Sequence, residues 1–312
     1  MGPSLTGGTD AGVATSLTPL RRLLRVIGLV RYRFFLFAGL LPYVLGGVWA
    51  HVMARQFDAS MFWSGFLGVV LAVVGVEAFN EYFDARMGTD RIFNPVDVQP
   101  ISNVVFWIGV AAFSGALAVG AYLTLRRGWP ILAFALLGGA AAIFYEAPPI
   151  RWSYRGLGET VIGLSYGPWM VLGSLWLHAG TLSRAAVLAS LVPGLLIAAL
   201  AVVNAIPDFH QDRLVGKRNL VVRLGRRRAV TLYVGLAAAG LAVVPAGVVA
   251  GMFPSASLLS LLAGPLLVSS ACRAHDTFEQ PRRFVGAVRS MVACYVVAVG
   301  LFMVGIFLHA GP

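Results

Sequence analysis

Charged residues are scarce in this 312-residue chain: they make up 12% of it, whereas 58% of the residues are hydrophobic. A typical soluble domain carries about 25% charged residues, so the shortage excludes an ordinary soluble protein. Cysteine is almost missing too, with Cys272 and Cys294 as the two copies, which excludes a disulfide-stapled scaffold. These shortages predict a polytopic membrane protein, in which the rare charged residues are costly and mark functional sites.

Long apolar runs are abundant, and nine of them reach the roughly 20 residues that a membrane-spanning helix needs. Their composition is rich in Leu, Val and Ala and continuous rather than alternating, which favours helices over a transmembrane β-barrel. The predicted fold is an all-α membrane protein, a bundle of about nine transmembrane helices. The predicted spans are 31–51, 61–83, 101–125, 129–147, 157–179, 185–206, 229–252, 255–273 and 285–309.

The chain before the first span divides into two parts. Residues 1–19 are rich in Gly, Thr and Ser, and we expect a disordered tail there. Residues 20–30 place four aliphatic side chains on one helical face, which predicts an amphipathic helix in the membrane interface. Residues 31–312 are predicted to form a single nine-helix domain.

Basic residues are distributed unevenly among the connections between the predicted spans. Of the 24 Lys and Arg residues, 20 fall on the side of the N-terminus. The positive-inside rule then predicts a cytoplasmic N-terminus and, with nine spans, a C-terminus outside. We expect an integral, multi-pass protein of the cytoplasmic membrane, with a basic face suited to anionic lipid. Nucleic acid is not an expected partner, because no soluble domain is there to bind it.

A first polar row closes the second predicted span, in the segment VEAFNEYFDARMGTD. Glu77, Asn80 and Asp84 are spaced i, i+3 and i+7, so they share one face of a helix. Asp90 follows after Gly88, where we expect the helix to end and the chain to turn back.

A second polar row closes the sixth predicted span, in LAVVNAIPDFHQDRLVGKRNLVVRLG. Asn204, Asp208 and Asp212 are spaced i, i+4 and i+8, which predicts one row over two helical turns. Pro207 predicts a kink or a break in this helix. Lys217, the one lysine in the chain, follows directly and is itself followed by an arginine.

Oxygen ligands predominate in both rows. Carboxylates brought together repel each other, so such a site favours a neutralising cation. Oxygen ligands on helices suit Mg²⁺, which binds carboxylates together with phosphate oxygens. His210 points away from the neighbouring aspartates, so zinc is not expected. Basic residues beside Mg²⁺ favour a diphosphate, and a site that opens into a lipid-embedded bundle favours a polyprenyl diphosphate.

At these residues the sequence resembles the UbiA superfamily of intramembrane prenyltransferases. NEYFDARMGTD is similar to the first Asp-rich motif of that family, and NAIPDFHQDRLVGKRNLVVRLG is similar to the second. FYEAPPIRWSYRGLGE and SYGPWMVLGS resemble the segments around the fourth and fifth helices. The similarity covers roughly residues 30–305, and it implies nine transmembrane helices with both motifs on cytoplasmic loops.

The first motif departs from the commonest family pattern. Gly88 stands eight residues after Asn80, where many members have an acid, and the third acidic residue is Asp90. This GTD form resembles the subgroup that prenylates 1,4-dihydroxy-2-naphthoate in menaquinone biosynthesis. The resemblance therefore implies an aromatic acceptor of that kind.

A second departure concerns a Tyr-x3-Lys pattern of the family. It would fall on Tyr145 and Pro149, so the lysine is missing. Arg151 or Arg155 would then have to supply the charge.

The resemblance implies a role for each candidate residue. The catalytic candidates are Asp84, Asp208, Lys217 and Glu77. The Mg²⁺ ligands are Asn80, Asp84, Asp208 and Asp212, with Asp90 and Asn204 as additional candidates. The diphosphate-binding candidates are Lys217, Arg218, Arg151, Arg155 and Tyr145. The candidates for orienting the acceptor or stabilising an allylic cation are Arg33, Tyr82 and Tyr166.

Other functions remain open at this stage. A UbiA-like enzyme can act on 4-hydroxybenzoate, a lipid alcohol or a sugar phosphate, or cyclise a terpene. Intramembrane carboxylates also mark transport paths, so a cation-coupled transporter is the alternative outside the enzymes. The acidic residues collect on one membrane face rather than at the midplane, which favours the enzyme.

Overall fold

The computed structural model describes residues 33–87, 103–146 and 148–310, without the side chains of 33–38, 80, 81, 83–87 and 310. The predictions of a tail at 1–19 and an interfacial helix at 20–30 lie outside the described residues. From Phe34 onward the described residues belong to one compact unit. Within the described ranges all the regular secondary structure is helical.

Twelve α-helices follow one another along the described residues. The first six are α1 (Arg33–Val52), α2 (Ala59–Met87), α3 (Asn103–Arg127), α4 (Trp129–Ile143), α5 (Gly158–Leu164) and α6 (Met170–Ala179). The others are α7 (Arg184–Ala205), α8 (Phe209–Leu214), α9 (Leu220–Leu224), α10 (Arg226–Val249), α11 (Gly264–Thr277) and α12 (Pro281–Phe307). A π-helical turn, Ser165–Trp169, joins α5 to α6, and 3₁₀ segments lie at Trp152–Arg155, Ser255–Ala263 and Leu308–Ala310.

Seven helical stretches of the described chain are long and apolar enough to cross a membrane. Two further apolar helices, Gly39–Val52 and Trp129–Ile143, are shorter and correspond to the first and fourth predicted spans. The predicted all-helical membrane bundle is therefore confirmed, and the count of nine spans stays a prediction.

Helix α7 lies at the centre of the bundle and is the most buried of the candidate spans. It packs against α10, α12 and the α5–α6 segment. Gly163 and Gly167 face Gly194 of α7 so closely that a Cβ on either would meet the α7 backbone. Small residues spaced four apart let membrane helices approach in this way. This tight contact fixes α5 beside α7, and the functional segments extend from these two helices.

Asp58 caps the N-terminus of α2. One carboxylate oxygen, Oδ1, accepts hydrogen bonds from the backbone N–H groups of Ser60 and Met61 at 3.0 and 3.1 Å and from the Ser60 hydroxyl at 2.7 Å. The other, Oδ2, lies 2.8 Å from Arg127 at the end of α3. An acidic cap satisfies the free N–H groups of a first helical turn and favours its dipole.

We expect Asp58→Ala to lower the melting temperature of the protein more than Asp58→Asn, because asparagine retains a capping oxygen. The hydrogen bonds from Ser60 and Met61 hold the pKa of the Asp58 carboxyl below its usual range. Its contribution to stability is therefore complete at neutral pH and is lost as the pH falls through the lowered pKa. Thermal melts in detergent at neutral and acidic pH test this; equal melts of the two variants would contradict it.

Candidate active site

Two loops meet at one end of the bundle. Loop A (residues 144–157, described except for 147) connects α4 to α5, and loop B (206–219) connects α7 to α9 and includes α8. The backbone N–H of Arg218 in loop B donates to the carbonyl of Tyr154 in loop A at 3.3 Å. Arg223 of α9 donates to one carbonyl in each loop, at 2.7 Å in both cases. These bonds hold the two loops together.

A glycine makes the close approach of the loops possible. Gly156 has a φ of 74°, which is in the left-handed region that favours glycine. A Cβ at this position would lie 2.5 Å from Nε of Arg223 and 3.0 Å from the carbonyl oxygen of Arg218. A larger residue would therefore push the two loops apart.

Loop B contains the break that Pro207 predicts after the sixth predicted span. Helix α7 ends at Ala205 and α8 begins at Phe209, with Pro207 between them. Proline has no N–H to donate to the preceding turn, so the break predicted at this residue is confirmed. Asn204 therefore lies on α7 and Asp212 on α8, and the expected row is not carried by one continuous helix. Asp208 is exposed and Asp212 is buried, so the two carboxylates meet different environments.

Asp212 is the buried carboxylate of the site, with 8% of its surface exposed. The side-chain amide of Asn219 donates to its Oδ2 at 2.6 Å. The same Asn219 accepts from the backbone N–H of Val222 and so caps α9. Burial raises the pKa of Asp212, while Lys217 and the bond from Asn219 oppose that rise.

Lys217 is paired with Glu146 across the two loops. Its Nζ lies 2.8 Å from Oε1 of Glu146, and the two side chains are 15% and 12% exposed. Nζ also lies 5.7 Å from the ring centre of Tyr154. Arg151 approaches the same ring, with its Cζ 4.9 Å from the centre. Two of the predicted diphosphate-binding residues, Arg151 and Lys217, are thus brought together on one aromatic ring.

The other diphosphate-binding candidates surround this pair. Arg155 is exposed and donates to the carbonyl of Pro149 at 3.2 Å, and Arg218 is exposed as well. Burial and then the nearby carboxylates of Glu159 and Glu146 raise the pKa of Tyr145, so its hydroxyl remains neutral.

Glu159 of α5 accepts a hydrogen bond from the residue that follows loop B. It is 4% exposed, and its Oε1 accepts from the backbone N–H of Leu220 at 3.0 Å, at the start of α9. Its Oε2 is buried and has no hydrogen-bond partner among the described residues. The carboxylate therefore fixes where loop B ends.

We expect Glu159→Leu to destabilise the protein by about 1–3 kcal/mol, because the N–H of Leu220 is left without its acceptor. Glu159→Gln keeps an oxygen acceptor and should retain most of the stability. Thermal melts of both variants beside the unmodified protein measure the difference. A glutamine variant as unstable as the leucine variant would show that the charge, not the hydrogen bond, is what stabilises.

Four predicted residues lie within the helical bundle rather than in the loops. The ring of Tyr82 is buried and packs against Phe106, 5.1 Å between centres. The ring of Tyr166 lies in the π-helical turn against Gly39 of α1. Glu77 lies half-buried on α2, and Asn204 is half-buried at the end of α7.

The remaining predictions concern groups that the structure does not describe. These are Asp90 and the side chains of Arg33, Asn80 and Asp84. Among the described residues no group of three or more His, Cys, Asp or Glu side chains is arranged to hold a metal. Both halves of the predicted Mg²⁺ site therefore stay a prediction.

Four residues with evident positions in this site were not selected from the sequence: Glu146, Tyr154, Glu159 and Asn219. Glu146 and Glu159 are two of the chain's 13 acidic residues, and the scarcity of charge in a membrane protein could have marked them as candidates. Asn219 directly precedes the apolar run LVV, the pattern of a helix cap. Tyr154 carried no local signal, because its partners are brought to it by the fold.

An all-helical membrane bundle with acidic and cationic side chains gathered on paired loops at one end agrees with the architecture that the resemblance to intramembrane prenyltransferases implies. Residues 39–292 match the UbiA prenyltransferase family. The chain belongs to this family, and the membership expected from its motifs is confirmed.

Individual relatives agree with this assignment. The 1,4-dihydroxy-2-naphthoate octaprenyltransferases of Bacillus subtilis and Escherichia coli are 24% and 31% identical over 62% of this chain. These matches span 64% and 66% of the two relatives, just under two thirds of their length. The 2-carboxy-1,4-naphthoquinone phytyltransferase of Synechocystis is 24% identical over 86% of this chain and 87% of its own.

A solved structure shares the fold. It is a UbiA homologue from Archaeoglobus fulgidus bound to DMAPP and Mg²⁺, with a TM-score of 0.56 and 16% identity. The similarity covers 89% of this chain and 98% of that one. The bundle is therefore the fold of this family along nearly its full length.

Proposed function

We propose that this protein transfers a prenyl group from an isoprenoid diphosphate to an aromatic acceptor, with 1,4-dihydroxy-2-naphthoate as the favoured acceptor. The observation that carries the proposal is the pair of cations, Arg151 and Lys217, on one ring beside the buried carboxylate of Asp212. The relatives named for naphthoate and naphthoquinone acceptors support the choice of acceptor.

The donor set of the site fits Mg²⁺. Asp208 and Asp212 supply carboxylate oxygens, and we propose that Asn80 and Asp84 supply the others, with Asp90 and Asn204 as additional candidates. Hard oxygen ligands of this kind suit Mg²⁺ together with phosphate. The bound DMAPP and Mg²⁺ of the related structure support the same ligand class. When bound, Mg²⁺ neutralises charge on the diphosphate as it leaves.

The chain's own cations hold the diphosphate. Lys217 and Arg151 are positioned by the ring of Tyr154, and Arg155 and Arg218 lie on the exposed rim of the same loops. Preorganised cations of this kind stabilise negative charge as it develops on a leaving group. Because these cations lie on paired loops, we propose that the diphosphate binds at one end of the bundle with its isoprenoid tail among the apolar helices.

The acceptor half of the reaction uses residues deeper in the bundle. Glu77 removes the proton from the acceptor, and Arg33 orients an acidic acceptor. The π faces of Tyr82 and Tyr166 stabilise the allylic cation. The apolar helices exclude water from this cation.

The topology follows from the charge distribution. We propose nine spans, with the two shorter apolar helices α1 and α4 completing the seven long ones. From the excess of basic residues we propose that the N-terminus and both loops lie on the cytoplasmic side of the cytoplasmic membrane, and the C-terminus outside.

The test of the acceptor is a panel assay on purified protein in lipid nanodiscs, with Mg²⁺ and labelled geranylgeranyl or farnesyl diphosphate. We expect prenylated 1,4-dihydroxy-2-naphthoate, and no product after chelation of Mg²⁺ with EDTA. Product formed with 4-hydroxybenzoate, a lipid alcohol or a sugar phosphate instead would show that the enzyme uses that acceptor and not 1,4-dihydroxy-2-naphthoate. Diphosphate release without any acceptor would indicate a cyclase. The absence of diphosphate cleavage with every acceptor would favour transport.

A further inference from the structure

The aromatic ring of Tyr154 has a position that the reaction does not by itself explain. It lies half-buried in loop A, and two cations from different loops approach it, Arg151 at 4.9 Å and Lys217 at 5.7 Å from its centre. Its carbonyl accepts the backbone N–H of Arg218 from loop B. The ring of Tyr154 contacts Lys217 and its carbonyl contacts Arg218, so the side chain and the backbone of this residue both connect loop A to loop B.

Two like charges at one ring need an opposing attraction. A ring face attracts cations through its quadrupole, and more strongly where water is excluded. Glu146 neutralises Lys217 at 2.8 Å, whereas Nε of Arg151 is buried without a hydrogen-bond partner among the described residues. The ring of Tyr154 is therefore one contact that holds the guanidinium of Arg151 in place. Arg151 itself has a φ of 54°, a left-handed conformation that is costly for arginine.

We infer that Tyr154 is a positioning residue. Its ring holds Arg151 and Lys217 at a separation that lets both cations bind the same diphosphate. Arg151 then supplies the positive charge that the missing lysine of the Tyr-x3-Lys pattern would have supplied, since Pro149 stands at that position. This inference rests on the proposed function, since the grip is useful only to a diphosphate ligand. The face of the ring does this, so a phenylalanine serves and an aliphatic residue does not.

The experiment compares Tyr154→Leu and Tyr154→Phe in purified full-length protein. The readouts are KM and kcat for geranylgeranyl diphosphate and, by calorimetry, the affinity for inorganic pyrophosphate with Mg²⁺. Tyr154→Leu is expected to raise KM about 5- to 30-fold, the size of one or two cation–π contacts, with a smaller change in kcat. Tyr154→Phe should restore most of the binding.

A matched control comes from the other end of the bundle. Tyr122 on α3 also has an arginine over its ring, Arg126 at 6.0 Å, and lies outside both loops. Tyr122→Leu should leave KM unchanged. A melting temperature measured for each variant separates a loss of grip from a loss of fold.

Coupling gives a second readout that a structural role would not produce. The effect of Arg151→Met on KM should be much smaller in the Tyr154→Leu background than in the unmodified protein, because the ring no longer positions Arg151. Fully additive effects would overturn the inference, as would a Tyr154→Phe variant as impaired as Tyr154→Leu. If the unmodified protein binds neither diphosphate, the proposed function fails instead.

Discussion

Replacing Asp212 with asparagine is expected to lower kcat/KM for prenyl transfer by about 100- to 1000-fold, the size of losing one preorganised electrostatic contact. Asparagine has nearly the shape of aspartate and can still accept the bond from Asn219, but it lacks the charge that Mg²⁺ requires. Steady-state assays with a labelled isoprenoid diphosphate and a naphthoate acceptor measure the loss.

The same variant should keep or gain stability. Burial raises the pKa of Asp212, which means that the folded protein disfavours the charged form of this side chain. A neutral replacement removes that cost. Loss of activity with an unchanged or higher melting temperature is therefore the expected pair of results.

A control for this variant is available on α11. Asp276 is 75% exposed, and Asp276→Asn should leave both activity and melting temperature as they are. If Asp212→Asn retained more than a third of the activity, the assignment of Asp212 to the metal site would be wrong.

Replacing Lys217 with methionine is expected to lower kcat/KM by about 100-fold or more, chiefly through a higher KM for the diphosphate. Methionine keeps the aliphatic length and removes the ammonium that the ring of Tyr154 and the carboxylate of Glu146 hold. Lys217→Arg keeps the charge and should retain more of the binding. Saturation curves for the isoprenoid diphosphate provide the comparison.

Lys217→Met should also melt at a lower temperature, because Glu146 is left as an unpaired and mostly buried carboxylate. The double variant Lys217→Met with Glu146→Gln removes both charges and should recover the melting temperature without recovering activity. Recovery of activity in the double variant would mean that Lys217 acts only on the fold and not on the substrate.

The fold was predictable to the extent that it depends on local signals. Continuous apolar runs of about 20 residues were sufficient for an all-helical membrane bundle, since an α-helix satisfies its backbone hydrogen bonds within one segment and needs no alternating pattern. Pro207 correctly indicated where the sixth predicted span breaks, because proline acts on its own turn. The spacing of Asn204, Asp208 and Asp212 defines one row only on a continuous helix, and this helix ends at Ala205, as Pro207 predicts.

The candidate site was predictable in part. Lys217 and Arg151 were selected from composition and motif, and the structure brings them together. Their common contact, Tyr154, could not be derived from the sequence, because 63 positions separate it from Lys217 and no spacing rule connects two loops. Glu159 is similar: its role as an acceptor for Leu220 depends on how α5 packs beside α7.

The central claim is that the paired loops and both acidic motifs act together in prenyl transfer. Its most direct test is mass-spectrometric detection of prenylated 1,4-dihydroxy-2-naphthoate, formed with Mg²⁺ by the purified protein and by Asp84→Asn and Asp208→Asn. We expect product from the unmodified protein and a loss of nearly all product in each variant, with all three proteins equally folded. Product from both variants at the unmodified level would contradict it.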